Sequence, residues 1–132
     1  MSEDEADIAF GARLLDALSD FDAGQCAVVA AGRVLAIEAA EGTDAMLARV
    51  ADMRRSGRLR HKGPAGVLVK APKRGQDLRL DMPAIGPGTI AAAARAELRG
   101  VALAAGAVLV ADRDRCVREA DAAGLFLAGF AA

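Results

Sequence analysis

Short apolar runs of strand length alternate along this chain with segments whose apolar residues recur at helical spacing. The clearest runs are Cys26–Ala30, Arg33–Ile37 and residues 66–71, and Pro72 ends the third. The first two are joined across Ala31-Gly32 and predict a β-hairpin. Helices and strands that alternate, with hairpins between some of them, predict a single α/β domain over residues 1–132 with a mixed β-sheet and flanking helices.

The other elements are predicted from the same two patterns, short apolar runs for strands and helical spacing of apolar residues for helices. Four helices are predicted. The first covers residues 7–20, with an apolar stripe of Ile8, Leu14, Leu15 and Leu18, and the second has Met46, Leu47, Val50 and Met53 on one face. The third is an Ala-rich helix from Gly86-Pro87-Gly88-Thr89 through Leu98, and the fourth covers residues 113–123 and ends before Gly124. Thr43 or Asp44 is expected to cap the second helix. Strands are also expected at residues 78–82 and 125–127, and residues 101–103 are expected to pair with 107–111 as a second hairpin.

The composition argues against several classes of partner. The chain has 17 Lys and Arg residues against 18 Asp and Glu, so a net charge of −1 gives no overall attraction to nucleic acid or to anionic membranes. With no Trp, no Tyr and four Phe, it almost lacks the stacking platforms that single-stranded nucleic-acid binders use. The longest uncharged apolar stretch, residues 100–111, is short of the ~20 residues that cross a bilayer. We therefore expect no nucleic-acid partner and no membrane-spanning segment.

The first residues and the cysteines indicate a reducing, cytoplasmic environment. Ser2 is followed by Glu3-Asp4-Glu5, whereas a signal peptide begins with basic residues. Cys26 and Cys116 are far apart in the chain and form no C-x-x-C motif, so two reduced, packed thiols are predicted.

Positive charge is concentrated in residues 54–79, which contain nine of the 17 Lys and Arg residues and only one acid, Asp77. Guanidinium and ammonium groups neutralise phosphate oxygens, so this window is suited to a phosphate-bearing ligand. A solvated basic face has the same composition, and the residues alone leave both interpretations open.

Lys70 ends a predicted strand within this window, and ligands of open α/β sheets bind beyond the carboxyl ends of strands. Asp77 and Asp81 are the only acids between Asp52 and Glu97. They could hold a divalent cation beside substrate phosphates, or they could simply offset neighbouring arginines. The sequence therefore predicts a candidate anion and metal site after this strand.

Glu38, Glu41, Thr43 and Asp44 crowd a second strand-to-helix junction, where the free N–H groups of a helix N-terminus can meet an anion. Helix capping explains the same residues. Nucleotide loops of the types G-x-x-x-x-G-K-[ST] and G-x-G-x-x-G are absent. His61 is the sole histidine, which excludes a zinc site built from several histidines, and no Ser lies in a nucleophile elbow.

Several ordered motifs resemble one family. They are Glu38-Ala-Ala-Glu-Gly-Thr-Asp-Ala-Met46, Gly66-Val-Leu-Val-Lys-Ala-Pro-Lys73, Gly75-Gln-Asp-Leu-Arg-Leu-Asp81, Met82-Pro-Ala-Ile-Gly-Pro87 and Ala122-Ala-Gly-Leu-Phe126. Together they resemble the C-terminal domain of LpxI-type UDP-2,3-diacylglucosamine pyrophosphatases. The resemblance implies Mg²⁺-dependent cleavage to UMP and lipid X during lipid A synthesis, at the cytoplasmic side of the inner membrane. It also implies an additional N-terminal domain, absent from this sequence, and a product bound between the two halves.

The resemblance also implies roles for individual residues. Asp81 and Asp77 would be the catalytic and metal-binding acids, and the expected substrate-binding residues are Lys70, Lys73, Gln76, Arg79, Glu41, Thr43 and Asp44. Met46, Met53 and Met82 are candidates for an apolar groove that holds acyl chains, although core packing is the commoner use of buried Met. A homodimer is possible. The competing interpretation is a non-catalytic module that binds an anion or self-associates.

Overall fold

The computed structural model describes residues 2–131. Within them lie four α-helices, a short 3₁₀ turn at Ser19–Phe21 and seven strands. The helices are α1 (Glu3–Ala17), α2 (Thr43–Arg55), α3 (Pro87–Arg95) and α4 (Arg113–Ala123). The strands are β1 (Cys26–Ala30), β2 (Arg33–Ile37), β3 (Val67–Lys70), β4 (Ala84–Ile85), β5 (Gly100–Ala104), β6 (Leu109–Val110) and β7 (Phe126–Phe130).

The main sheet is mixed, as predicted, with strand order β2-β1-β3-β5-β7. Strand β1 runs antiparallel to both β2 and β3, whereas β3, β5 and β7 are parallel to one another. The carboxyl ends of these three parallel strands therefore lie along one edge of the sheet. We call it the carboxyl edge; β1 begins there, with Cys26 opposite Lys70.

Helix α1 covers one face of the sheet, and its buried residues are spaced four apart, at Asp7, Gly11 and Leu15. A side chain at Gly11 would stand only 2.7 Å from Val69 Cγ2, so the glycine lets the helix lie close to β3. The helix begins earlier than predicted, at Glu3, because the Ser2 hydroxyl accepts the N–H of Glu5.

The other three helices pack on the opposite face. Their apolar residues form the larger core with Val28, Leu68 and Val101 of the central strands. Helix α4 has the predicted bounds, and α3 begins at Pro87 as expected but ends at Arg95. The hairpin of β1 and β2 and the strand β3 are confirmed.

The predicted second hairpin is wrong. Strand β5 pairs in parallel with β3 and β7, and β6 pairs in parallel with β4 in a separate two-stranded sheet. Every residue of β5 is buried, as in a central parallel strand. The apolar pattern could not tell this strand from one arm of a hairpin, since the partners come from distant parts of the chain.

Residues 78–82 were expected to be extended, and this is also wrong. The N–H groups of Leu80 and Asp81 both donate to the carbonyl of Asp77, which makes a turn. The Asp77 carboxylate reinforces it by accepting the N–H of Arg79. Local hydrogen bonding of an aspartate thus prevails over the alternating pattern, and Leu80 is left exposed.

Two further predictions concern membranes and thiols. No helix within residues 2–131 is long and apolar enough to span a membrane. Cys26 and Cys116 are free and buried, as predicted.

Candidate functional site

The carboxyl edge brings together the segments that the sequence singled out. Residues 38–44 connect β2 to α2, residues 71–83 follow β3, and residues 86–89 begin α3. They meet because β3 ends at this edge, where antiparallel β1 begins. The prediction that Lys70 lies at the carboxyl end of a buried strand is confirmed.

Lys70 connects these segments through its ammonium group. Its Nζ donates to Thr43 Oγ1, in the first residue of α2, and to the carbonyl oxygen of Ala84, in β4, both at 3.0 Å. The residue is only 7% exposed. An ammonium group has three N–H donors, so one of them has no acceptor in the protein within residues 2–131. A buried cation with a spare donor is well suited to an anion at this edge.

Glu38 is a member of this cluster that the sequence analysis placed at the junction without assigning it to the site. Its Oε2 accepts the hydroxyl of Thr43 at 2.6 Å, and its Oε1 accepts the N–H of Gln25 at 2.9 Å. A side chain on Gly24 would collide with Glu38, so the close approach requires glycine there. The sequence signal that could have assigned Glu38 to the site is a carboxylate directly after a strand and close to the start of a helix.

The thiol of Cys26 completes the buried cluster. Its Sγ lies 3.4 Å from Thr43 Oγ1 and donates weakly to Glu38 Oε2 at 3.5 Å. Burial raises the pKa of Cys26 to about 12, and the charge of Glu38 adds to the rise while the Thr43 contact opposes it. The thiol is therefore neutral at pH 7, which argues against a role as nucleophile.

Helices α2 and α3 begin side by side at this edge, where Thr89 Oγ1 lies 3.5 Å from Asp44 Oδ1. Each starts after a glycine, Gly42 or Gly86, and neither has a side-chain cap. The expectation that Thr43 or Asp44 caps α2 is wrong, because the Thr43 hydroxyl donates to Glu38 instead. Uncapped first-turn N–H groups and the helix dipole favour a negatively charged ligand.

Gln76 uses its amide to hold the loop of residues 71–83 together. Its Oε1 accepts from Gln25 Nε2 at 2.6 Å and from the N–H of Lys73 at 2.9 Å. Its Nε2 donates to the carbonyl of Asp81 at 2.8 Å and to Asp81 Oδ2 at 3.3 Å. The amide thus fastens Asp81 to the start of β1. Direct contact of Gln76 with substrate stays a prediction.

The two candidate acids differ in their partners. Asp77 accepts from Arg79 through Nε and Nη2, both at 3.2 Å, and through the backbone N–H at 3.0 Å. The side-chain bonds to Arg79, followed by this backbone bond, lower the pKa of Asp77. Asp81 forms no ion pair within the described part of the chain, and its carboxylate contacts only the Gln76 amide. Asp81 is therefore the aspartate still available to a ligand.

The acidic N-terminal segment pairs with two cations of the basic window, Lys73 and Arg74. Arg74 pairs with Asp16 at 3.3 Å and with Asp20 at 3.0 Å. Lys73 pairs with Asp22, and this hydrogen bond lowers the pKa of Asp22. The charges that are segregated in the sequence therefore meet in space, which favours the solvated-face interpretation for these cations.

Glu41 hydrogen-bonds to neighbouring backbone and to Arg49. Its Oε1 accepts the N–H of Ala39 at 3.0 Å and Arg49 Nη2 at 2.9 Å. The bond from Ala39, with that from Arg49 adding to it, lowers the pKa of Glu41. A role in substrate binding for Glu41 stays a prediction, as it does for Lys73, Arg79 and Asp44.

The donor set indicates what kind of metal site this chain can offer. No group of three or more His, Cys, Asp or Glu residues placed to hold a metal occurs within residues 2–131. Mg²⁺ keeps several waters and takes one or two carboxylates together with substrate phosphates. The uncommitted carboxylate of Asp81 fits such a shared site, whereas the chain alone does not form a closed cage.

An open cavity of about 600 Å³ has Met82, the residue after Asp81, among its lining residues. Most of the other lining side chains are apolar, including Leu103, Val108 and Leu125, and the charged residues Arg113 and Asp121 also line it.

Of the three methionines named as candidates for an apolar groove, Met82 lines this cavity. Met46 is fully buried on the inner face of α2, and Met53 packs partly buried against the same core, so both have the commoner role of core packing.

Comparisons with known proteins agree with the resemblance seen in the motifs. The model of the LpxI C-terminal domain family matches residues 1–128. The chain is 49% identical over 127 residues to UDP-2,3-diacylglucosamine pyrophosphatase LpxI of Caulobacter vibrioides. That match covers 96% of this chain and 45% of the relative, so the chain spans less than half of the relative's length. The chain belongs to the LpxI C-terminal domain family.

Proposed function

We propose that this chain forms one half of the active site of a hydrolase that cleaves the diphosphate of UDP-2,3-diacylglucosamine to UMP and lipid X, in lipid A biosynthesis. The name of the relative in Caulobacter vibrioides supports this substrate. The observation that carries the proposal is the convergence of the Lys70 ammonium group, the Asp81 segment and two uncapped helix N-termini at one sheet edge. Diphosphate hydrolysis needs both anion binding and an acid of this kind.

Lys70 and the starts of α2 and α3 bind the diphosphate in this proposal. The spare N–H of Lys70 is a charge-assisted donor, and burial strengthens its interaction with phosphate oxygens. Lys73 and Arg79 reach the substrate by exchanging exposed carboxylate partners, Asp22 and Asp77, for phosphate. Exposed ion pairs contribute only about 0–1 kcal/mol, so this exchange costs little.

Asp81 would hold the metal ion in this proposal. When bound, Mg²⁺ would neutralise charge on the phosphate oxygens and acidify a water molecule. Asp81 is its candidate ligand because its carboxylate has no cationic partner, and Gln76 holds it in place through the carbonyl and Oδ2. Asp77 is the weaker candidate, since Arg79 already occupies both of its oxygens.

The apolar cavity beside Met82 accommodates acyl chains of the substrate in this proposal. Met82, one of its lining residues, directly follows Asp81, so a lipid whose diphosphate lies at the carboxyl edge can place an apolar chain there. A diacylated substrate resides in a membrane, and in this proposal the enzyme works on it as a peripheral protein at the cytoplasmic surface of the inner membrane, as the family resemblance implies.

The rest of the site comes from a second domain in this proposal. The relative contains more than half its length outside the match, and no cluster of three or more His, Cys, Asp or Glu residues that could hold a metal occurs within residues 2–131. We therefore expect the isolated chain to bind substrate weakly and to turn it over poorly. A homodimer stays a prediction.

The test is UMP release by the full-length enzyme that contains this domain. Asp81→Ala should lower kcat by about 10³-fold or more, because a group that acts on the reacting atoms is lost. Asp77→Ala is the matched control and should retain activity within about tenfold, since it removes only a partner of Arg79. Chelation of Mg²⁺ should abolish turnover and readdition should restore it.

Normal turnover by Asp81→Ala, with Asp77→Ala inactive, would assign the acid to Asp77. Full activity of both variants would favour the non-catalytic module, and activity without a divalent cation would remove Mg²⁺ from the proposal.

A further inference from the structure

We propose that Glu38 and Thr43 are positioning residues that act through Lys70 and hold its ammonium group ready for a diphosphate. The inference deepens the proposed function and rests on the role given there to Lys70. It assigns Thr43, for which the family resemblance implied substrate contact, to the support of another side chain. It also adds Glu38 to the site.

The proton positions in this chain of groups follow from its partners. Lys70 can only donate, so the Oγ1 of Thr43 must accept its N–H at 3.0 Å. Thr43 therefore directs its own proton to Glu38 Oε2, at the short distance of 2.6 Å. The order is Lys70 to Thr43 to Glu38, with a cation at one end and a carboxylate at the other. No substrate group is needed to satisfy the Thr43 hydroxyl.

Glu38 suits this position because its carboxylate can only accept hydrogen bonds. The three groups around its oxygens are all donors: the N–H of Gln25, the Thr43 hydroxyl and the more distant Cys26 thiol. The NH₂ group of a glutamine here would face one of those donors. The main chain of Glu38 is held as well, by Gly24 N at 2.9 Å and Cys26 O at 3.0 Å.

A lysine side chain normally has many rotamers, and ordering it on binding costs affinity. Thr43 and Ala84 fix two of the three N–H groups of Lys70 before any ligand arrives. The third is left for an anion. The carboxylate is one hydroxyl away from the ammonium group, so Lys70 is oriented without a direct ion pair that a diphosphate would have to break.

The experiment measures the Kd of inorganic pyrophosphate for the full-length enzyme that contains this domain, by calorimetry at low ionic strength. Thr43→Val should weaken binding by about tenfold, which corresponds to ~1.4 kcal/mol, whereas Thr43→Ser keeps the hydroxyl and should bind within about twofold of the parent. Glu38→Gln should also weaken binding. If Glu38 acted only as a nearby negative charge, its removal would instead tighten the binding of an anion, so the sign of the change separates the two roles.

A double-mutant cycle tests whether both residues act through Lys70. In a Lys70→Met background, Thr43→Val and Glu38→Gln should have no further effect on pyrophosphate affinity. Thermal unfolding of each variant reports whether it folds. The Lys70 ammonium resonance in ¹H–¹⁵N NMR gives a readout without ligand, and Thr43→Val should broaden it by faster proton exchange while Thr43→Ser preserves it.

The possible failures are distinguishable. If Lys70→Met weakens binding but Thr43→Val and Glu38→Gln do not, the positioning role is overturned and the proposed function stands. If Lys70→Met binds pyrophosphate like the parent, or if the parent does not bind it, the assignment of Lys70 to the diphosphate falls and the positioning role falls with it. Tighter binding by Glu38→Gln overturns the role of Glu38 alone.

Discussion

Lys70 and the cations of the following loop come from one basic stretch of the sequence, but the fold gives them different burial and different partners. Lys70 is buried at the end of β3, with neutral acceptors and a carboxylate held one hydroxyl away. Lys73, Arg74 and Arg79 lie on or near the surface, and each pairs directly with an exposed aspartate. The difference shows that burial and partner chemistry, and not the local density of charge, distinguish a candidate binding group from a solvated one.

The largest effect is expected when Lys70, the buried cation of this comparison, is replaced. In the full-length enzyme, Lys70→Met should lower kcat/KM for UMP release by about 10²- to 10³-fold, because a desolvated cation is lost from the diphosphate. Arg74→Gln is the control and should stay within about threefold, since Arg74 is already neutralised by Asp16 and Asp20. Equal losses in both variants would mean that the loop cations carry the binding.

The buried cluster around Lys70 should also respond to alkaline pH. The pKa of Cys26 is raised from 9.0 to about 12, so its neutral thiol stabilises the folded chain fully below about pH 9. This stability is lost as the pH rises toward 12, because only the unfolded chain ionises freely. We expect a loss of about 2–3 kcal/mol in the free energy of unfolding by about pH 11, measured by urea unfolding.

Cys26→Ala should flatten this alkaline dependence, even though the smaller side chain lowers stability at every pH. Cys116→Ala serves as the control, and most of the loss should persist in it. An unchanged slope in Cys26→Ala would assign the effect to other groups.

A buried carboxylate offers the next test. Asp7 is 3% exposed, and its two oxygens accept the N–H groups of Ala31 and Gly32 at 2.8 Å, in the turn between β1 and β2. Asp7→Ala should lower the free energy of unfolding by about 2 kcal/mol, because two turn donors lose their acceptor. Asp16→Ala, on the exposed side of the same helix, should change it by less than about 0.5 kcal/mol.

The smallest effect is expected at the exposed ion pairs. Arg74→Gln should lower the free energy of unfolding by less than about 1 kcal/mol, as measured by urea unfolding. The difference from the parent should vanish near ~1 M salt, where charges are screened within about 3 Å. A difference that persists at high salt would show that Arg74 contributes through packing.

Much of the fold could be predicted because its signals are local. The β1–β2 hairpin, α2, α4 and the mixed sheet follow from apolar spacing and turn residues within short windows. Two predictions failed for different reasons. At residues 78–82 a local hydrogen bond, in which the Asp77 carboxylate accepts the N–H of Arg79, prevailed over the alternating pattern. The supposed second hairpin failed because its strands pair with partners from distant parts of the chain.

The sequence predicted which residues belong to the candidate site better than it predicted what each of them does there. Lys70, Thr43 and Asp81 could be named from motifs, and the structure brings their segments to one edge. The availability of Asp81 compared with Asp77 depends on where Arg79 and Gln76 lie. Gln25 and Gly24 drew no attention in the sequence, because a polar residue and a glycine before a strand are common.

The sequence by itself determined the local elements, the family resemblance and the order of the motifs along the chain. Only the tertiary structure decided which charges neutralise each other and which is buried with a donor to spare. The physical reason is distance: electrostatic and hydrogen-bonding partners are set by positions in space, and Lys70 and Thr43 are 27 residues apart in the chain but 3.0 Å apart in the fold.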